Sequence, residues 1–539
     1  MIAPPRGLVN FAAELLSART ARRLRKVDSG HAAQRSALAG LTARMAVTSV
    51  GRAAGIEAGM PYETFRARVP PRTYEAFVPH IERMKRGEPD VLWPGQCSFF
   101  AVSSGTTAGR AKCLPVTEAL LAHFRKAALE SLLYYTARVG HTGVFLGRHL
   151  FLGASTQLSP IEEAKPHLAY AGDLSGITAL NLPGWAEKYF YEPGPEVAQM
   201  SDWPARLQAV AERTLRCDIT LVAGIPNWVL SLADAVRARA AQGKASALNL
   251  KALWPNLECF VHSGAPVAPF ATELRAALGT EVNFHEVYLA SEGFIAAQDA
   301  DTIGGLRLMT AAGLFFEFVP MTVFDEKNLD RLGQGAVPLE GVKTGVNYAL
   351  LLTTPAGLCR YVIGDVVRFT STKVPRLVYV GRTDLQLNAF GEHVIEKEVT
   401  DALLAVCQRH GWTIVNFHVA PVFANTLTGQ TRGCHEWWIE LKVPTIETPT
   451  ANVLSPELDT EIRRRNDDYQ AKRAGRGFEP PTVRLVMPGV FEQWMKQQGR
   501  WGGQHKMPRC RSDRLVADQL AELSRFYVEK PPPHVVRPS

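Results

Sequence analysis

Ser103-Ser104-Gly105-Thr106-Thr107-Ala108-Gly109-Arg110-Ala111-Lys112 follows a short apolar run, Cys97 to Val102, that reads as a strand. These ten residues hold four hydroxyls, two glycines and two cations, with no acid among them. Glycine lets backbone N–H groups turn toward a ligand at close range, and concavities of such groups bind anions. Hydroxyls add donors and Lys112 adds a point charge, so the matching partner is a polyphosphate. The stretch is not a Walker loop, which needs Gly-Lys-Ser/Thr starting five residues after its first glycine. Arg110 holds that place relative to Gly105. Pro115 then precedes a helix whose N-cap is expected at Thr117. Taken alone, the loop has a plainer reading as polar surface.

At 539 residues the chain is too long for one core and should divide into two or more domains. Apolar content of 46% and charged content of 21% are those of a water-soluble globular protein. The net charge is +8, but the cations are spread out apart from small groups at Arg19–Lys26 and Arg463–Arg465. Nucleic-acid binding usually needs a concentrated basic stripe, so no nucleic-acid partner is expected. No apolar run reaches the ~18 residues of a membrane span, and no membrane partner is expected. Phe11 to Leu16 is too short for a signal-peptide core, which points to a cytosolic protein. The eight cysteines form no C-x-x-C pair and the fourteen histidines are dispersed. That pattern argues for reduced thiols and against a metal held by protein ligands alone.

Along the chain, helical segments are expected at Val9–Leu24, Ala32–Thr48 and Thr117–Arg138. From 205 to 300 the pattern alternates. Leu207–Leu215 and Trp228–Ala241 read as helices; Asp218–Ala223, Leu257–His262 and Val282–Leu289 read as strands. Such alternation indicates a layered α/β architecture. Between about 303 and 380 the apolar period becomes two, as in antiparallel sheet or a small barrel. Beyond Gly381 a smaller α+β unit is expected, with strands at Trp437–Val443 and Thr482–Met487 and a charged helix at Ser455–Arg473. The predicted fold is therefore α/β: a large layered N-terminal domain with a small β-barrel region, and a smaller α+β C-terminal domain.

Three more segments carry chemistry. Tyr288-Leu289-Ala290-Ser291-Glu292-Gly293 ends an apolar strand. A carboxylate there, beside a phosphate loop, suits Mg²⁺, which takes one or two protein carboxylates plus phosphate oxygens. Tyr288 offers a flat face for a base. Arg360-Tyr361-Val362-Ile363-Gly364-Asp365 supplies an aspartate of the kind that binds ribose hydroxyls. Gly502-Gly503-Gln504-His505-Lys506-Met507-Pro508-Arg509 puts a lysine on a loop able to extend. Each of these alone has a plainer reading as a turn or a solvated charge.

In this order and spacing the segments resemble the Gretchen Hagen-type acyl-acid amido synthetases, also called the auxin-responsive promoter family. That family belongs to the adenylate-forming superfamily with acyl-CoA synthetases and luciferases. Its S-S-G-T-[ST]-x-G-x-x-K motif is matched from Ser103 to Lys112, and its Y-x-x-S-E motif from Tyr288 to Glu292. Y-R-x-G-D is matched with a departure: Val362 follows Tyr361, while Arg360 precedes it. The C-terminal lysine loop is matched by Gln504-His505-Lys506-Met507-Pro508-Arg509-Cys510, with His505 where the family often has Tyr. Further similarity lies in Gln34-Arg35, Gly51-Arg52, Gly381-Arg382-Thr383-Asp384 and Asn466 through Arg473.

The resemblance implies that Ser103, Ser104, Gly105, Thr106, Thr107 and Lys112 hold ATP phosphates. It places Glu292 on Mg²⁺, Tyr288 and Ser291 at the nucleotide, Asp365 and Arg382 on ribose, and Lys506 at the adenylation step. By the same resemblance, 1–381 is the ATP- and acyl-binding domain, and 382–384 is a hinge containing Asp384. Residues 385–539 are then a mobile lid domain carrying the lysine loop. The implied reaction consumes ATP and Mg²⁺, activates a small carboxylic acid as acyl-AMP, and transfers the acyl group to an amino acid, on a monomeric enzyme. An acyl-CoA ligase sharing the adenylate, and a non-catalytic nucleotide-binding protein of the same fold, stand as alternatives. Phe99, Trp228 and Val229 are candidates for the acid pocket by chain position.

Overall fold

The computed structural model describes the chain except residues 1–4, 104–111, 163–166, 242–247, 265–266, 268–269, 301–303, 326–327, 384–385, 388, 391, 393, 424–431, 443–449, 475–477, 499–506 and 530–539. Two compact units result. One comprises Met1–Ile363 with Val367–Tyr379, and the other Gly364–Val366 with Val380–Ser539.

The larger unit is built on a twelve-stranded sheet. Its parallel half runs Tyr191–Glu192, Arg148–Leu152, Ile219–Gly224, Cys259–His262 and Asn283–Ala290. Helices Trp203–Thr214, Pro226–Ala240 and Ala271–Leu278 alternate with these strands, as the pattern of 205–300 indicates. They bury Val210, Val229, Leu232 and Leu274 against Val222 and Phe260 of the sheet. Beyond Asn283–Ala290 the sheet turns antiparallel through Gly293–Ala297, Leu306–Leu308 and Arg376–Arg382. Tyr361–Ser371, Asn347–Thr353, Phe315–Pro320 and Val337–Pro338 follow in that order. The alternating region from 303 to 380 is therefore antiparallel, and no barrel closes among the described residues. Its strands continue the larger sheet, and no pairing among the described residues joins the sheet's two ends. Alternation of side chains records which strands are half-buried; it carries no information about closure.

A four-stranded sheet holds Lys112–Val116, Phe99–Ser103, Tyr170–Gly172 and Ser159–Pro160 in that order. Helix Glu118–Val139 starts where expected, the Thr117 hydroxyl accepting from the Leu120 N–H at 3.1 Å. Thr117 also donates to the Pro355 carbonyl at 2.6 Å, tying the helix start to a distant turn.

In the smaller unit Ile414–Val422, Cys434–Leu441 and Thr482–Leu485 form a three-stranded sheet. Cys434–Leu441 is buried along its whole length because both faces are covered. Trp437, Ile439 and Leu441 point to a core with helices Glu396–His410 and Ala451–Arg465. Trp438 points the other way, toward Val490–Gln497 and Leu515–Glu529, as the two-residue period of a strand requires. The single helix expected over Ser455–Arg473 is two helices, Ala451–Arg465 and Asp467–Ala474. Asn466 divides them with extended backbone (φ −137°, ψ 113°). Its Oδ1 accepts from the Tyr469 N–H at 2.7 Å, capping the second helix, and its Nδ2 donates to Glu398 at 2.8 Å.

Candidate functional site

Ser103 and Lys112 stand opposite each other as the last paired residues of an antiparallel hairpin. Ser104, Gly105, Thr106 and Thr107 lie outside the described residues; the ends of their loop are fixed by that pair. The return strand Lys112–Val116 escaped sequence reading because Pro115 interrupts it. Pro115 is tolerated there, since this is the edge strand, where a missing N–H breaks no necessary ladder bond. Lys112 is turned toward two aromatic rings. Its Nζ donates to the Tyr361 hydroxyl at 3.2 Å and lies 5.6 and 5.7 Å from the ring centroids of Tyr74 and Tyr361. Tyr74 is itself anchored, accepting from the Cys113 N–H at 2.7 Å. Burial raises the pKa of its phenol, which keeps it neutral beside the lysine. Two segments far apart in sequence thus meet at one cation.

Ser291 and Glu292 form the two-residue turn between strands Asn283–Ala290 and Gly293–Ala297. Glu292 is 7% exposed. The turn is clamped from behind by His123 of helix Glu118–Val139, a residue the sequence does not single out. Its Nε2 accepts from the Phe294 N–H at 2.8 Å, so its Nδ1 carries the proton donated to the Ala312 carbonyl, also at 2.8 Å. Burial pushes this imidazole down to about 4 and keeps it neutral. Gly293 is needed for the approach: a Cβ there would come within 2.6 Å of Leu314 and 3.3 Å of His123 Nε2. Tyr288, on the preceding strand, packs edge-on against Tyr379 with ring centroids 5.6 Å apart.

In the third segment the arginine and the aspartate have separate duties. Arg360 is fully buried and pairs through Nε and Nη2 with Glu317 at 2.9–3.1 Å. It also donates to the carbonyls of Arg66, Val69 and Gly333. The Tyr62 hydroxyl donates to the same carboxylate at 3.0 Å. Arg360 adopts φ +48°, a strained conformation that these bonds hold in place. It is an internal strut and does not substitute for the arginine that Val362 replaces. Tyr361 turns instead to Lys112, as described.

In the smaller unit Asp365 is 5% exposed and accepts from Arg382 Nη1 at 3.1 Å. Gly364 makes this possible: at φ +85° a Cβ would meet Arg382 Nη2 at 2.7 Å. The Thr383 N–H donates to the Gly364 carbonyl at 2.8 Å, closing the pair from the other side. A carboxylate and a guanidinium held together offer an acceptor and donors to vicinal hydroxyls.

Asp384 and Lys506 lie outside the described residues. The segment after Lys506 is bound to strand Ile414–Val422. The Val419 N–H donates to the Arg509 carbonyl at 2.9 Å, and the Arg511 N–H donates to the Val419 carbonyl at 3.0 Å. His418 Nδ1 meets the Pro508 carbonyl at 2.7 Å, and Arg509 donates to Asn416 at 2.8 Å. Other family-like residues are structural. Gln34 donates to the carbonyls of Thr310 and Leu314 and accepts from the Phe316 N–H. A Cβ on Gly51 would strike the Met45 carbonyl. Arg473 grips Asp459. Of the proposed acid-pocket residues, Val229 is fully buried in the α/β core and Trp228 packs on Trp203 at 4.7 Å, so both have packing roles. Phe99 stacks on Tyr170 at 6.4 Å.

Comparison with known proteins shows the family to which the chain belongs. The GH3 family N-terminal domain matches residues 23–282, the central domain 307–382 and the C-terminal domain 397–515. The chain is 25% identical to a probable indole-3-acetic acid-amido synthetase, GH3.2, of Oryza sativa subsp. japonica, covering 89% of this chain and 88% of that one. It is 24% identical to a probable indole-3-acetic acid-amido synthetase, GH3.1, of Arabidopsis thaliana, covering 88% of each. Among solved structures it resembles the AtGH3.15 acyl acid amido synthetase in complex with 2,4-DB, with a TM-score of 0.69 at 18% identity over 92% of this chain and 94% of that one. It also resembles a 2-hydroxyisobutyryl-CoA ligase in its postadenylation state, with a TM-score of 0.56 at 16% identity over 92% and 91%. Three family domains in order, along a chain whose separated motifs fold into the contacts above, place this protein in the GH3 family.

Proposed function

We propose that the protein is an ATP-dependent acyl-acid amido synthetase. The observation that carries this reading is the bond between Lys112, which closes the hydroxyl- and glycine-rich loop, and Tyr361, the first residue of strand Tyr361–Ser371. It brings together two family-like motifs whose bonded residues lie 249 apart in sequence. In the first step a carboxylate oxygen attacks the α-phosphorus of ATP; the new P–O bond gives acyl-AMP and the bond to pyrophosphate breaks. In the second, an amino-acid nitrogen attacks the acyl carbon, forming the amide, losing a proton and releasing AMP.

Ser103, Ser104, Gly105, Thr106, Thr107 and Lys112 are assigned to the phosphates, Tyr288 and Ser291 to the nucleotide, and Asp365 with Arg382 to the ribose. Glu292 suits Mg²⁺: it is a single hard oxygen donor on a rigid turn, and Mg²⁺ completes its shell with phosphate and water. That ion supplies charge neutralisation at the phosphates. Lys506 is assigned to the charge that builds up at the α-phosphorus, and 382–384, with Asp384, to a pivot between half-reactions. The reading is of a cytosolic monomer.

The test is pyrophosphate release from ATP across a carboxylic-acid library that includes indole-3-acetic acid, followed by amino acids or CoA added to the best acid. Acid-dependent pyrophosphate followed by an amide confirms the reading. A thioester with CoA and no amide makes the protein an acyl-CoA ligase, and no pyrophosphate with any acid removes the adenylation reading.

A further inference from the structure

Helix Arg6–Leu24 packs Val9, Leu16 and Leu24 inward but leaves three other large apolar side chains on the outside. Leu8, Phe11 and Leu15 are 60%, 63% and 43% exposed, whereas the residues it buries fully, Ala13, Ser17 and Thr20, are small. At 100° per residue, Phe11, Arg22, Leu15, Leu8 and Arg19 fall in one arc of roughly 80°. The outer stripe is thus apolar in its first half and cationic in its second. Exposed Arg25 and Lys26 extend the cationic end, followed by Val27 at 75% exposure. From Arg6 to Lys26 there are six cations and one acid, Glu14. Arg23 pairs with Glu130 at 2.6 Å, but among the described residues Arg19, Arg22, Arg25 and Lys26 have no ion pair.

We propose that this face docks the protein on the surface of an anionic phospholipid bilayer. Water leaves the apolar half unsatisfied and solvates the cationic half. A bilayer interface satisfies both, because apolar side chains enter the acyl boundary while guanidinium groups meet phosphates at headgroup level. A second copy of the helix does not. Parallel pairing sets Arg19 and Arg22 against themselves, antiparallel pairing sets them against Leu8 and Phe11, and the stripe offers no acid to either. No helix of the described residues is long and apolar enough to cross a membrane. Interfacial docking is a different geometry, overlooked when only the length of apolar runs is weighed.

The test is flotation of the full chain with vesicles of phosphatidylcholine mixed with phosphatidylglycerol, and with phosphatidylcholine alone. The wild-type protein is expected to float with the anionic vesicles and to be released as salt rises. Leu8→Ser/Phe11→Ser/Leu15→Ser and Arg19→Glu/Arg22→Glu should each bind at least about tenfold more weakly, with melting temperature and acid-dependent pyrophosphate release unchanged. Absence of wild-type binding overturns the proposal, as does full binding by the triple serine variant. A concentration-dependent dimer that the serine variant dissociates, with no vesicle binding, assigns the face to a second copy and overturns it as well.

Discussion

Arg360 and Tyr361 are neighbours in sequence with opposite duties. Arg360 sits without exposure against Glu317, and removing one partner of such a pair strands a buried charge. Arg360→Ala is expected to destabilise the protein by about 3–5 kcal/mol, read as a lower denaturant midpoint. The ATP KM of the enzyme that remains folded should stay near that of wild type. A raised ATP KM with unchanged stability would make Arg360 a nucleotide ligand. Tyr361→Phe keeps the ring and deletes the hydroxyl that accepts from Lys112. The expected result is a roughly tenfold to hundredfold slower adenylation, the value of one hydrogen bond to a charged group. An ATP–pyrophosphate exchange rate equal to wild type would show that Tyr361 does not position Lys112.

At the scale of elements, one candidate carboxylate sits on a two-residue turn and the other within a strand, and each depends on a neighbouring glycine. Gly293 lets the Ser291-Glu292 hairpin approach His123, while Gly364 lets Arg382 reach Asp365. Gly364→Ala combines an unfavourable φ of +85° with a Cβ 2.7 Å from Arg382 Nη2. It is expected to push Arg382 off Asp365 and raise the ATP KM, leaving the affinity for the carboxylic acid unchanged. Equal loss of both affinities would point to general disorder of the site. The paired helices around Asn466 give a separate test: Asn466→Ala removes the cap to the Tyr469 N–H and should lower stability by about 1 kcal/mol.

For the whole molecule, five interior histidines dominate the expected acid response. Burial depresses His123, His149, His262 and His418 from 6.5 to about 4, and His285 to about 3. Because the folded values are lowered, the unfolded chain binds protons that the fold refuses once pH drops below 6.5. The stability these groups contribute is complete above 6.5 and is lost as pH falls toward 4, by about 1.4 kcal/mol per pH unit for each histidine. Melting temperature should therefore be nearly flat from pH 7 to 8 and fall steeply from pH 6 to 5. His123→Gln should reduce that slope by one proton. A second whole-molecule prediction concerns Lys506. Lys506→Ala is expected to slow acyl-AMP formation by about two to three orders of magnitude. Amide formation from supplied acyl-AMP should be spared, and full adenylation activity would make Lys506 an ordinary lysine.

Periodicity alone determines much of this protein. The α/β alternation of 205–300, the cap at Thr117 and the change to antiparallel strands after 303 are local properties written in side-chain spacing. The ordered motifs point to nucleotide chemistry for a similar reason, since each packs its chemistry into a few adjacent residues. Tertiary structure decided the rest. Only packing shows that the 303–380 strands extend the central sheet, because closure depends on neighbours distant in the chain. Only packing separates Arg360 from Asp365, giving one to Glu317 and the other to Arg382. His123 and Tyr74 carry no local signal at all. Their roles are hydrogen bonds to the Phe294 and Cys113 amides, made when distant segments meet and burial removes the water that would otherwise satisfy them.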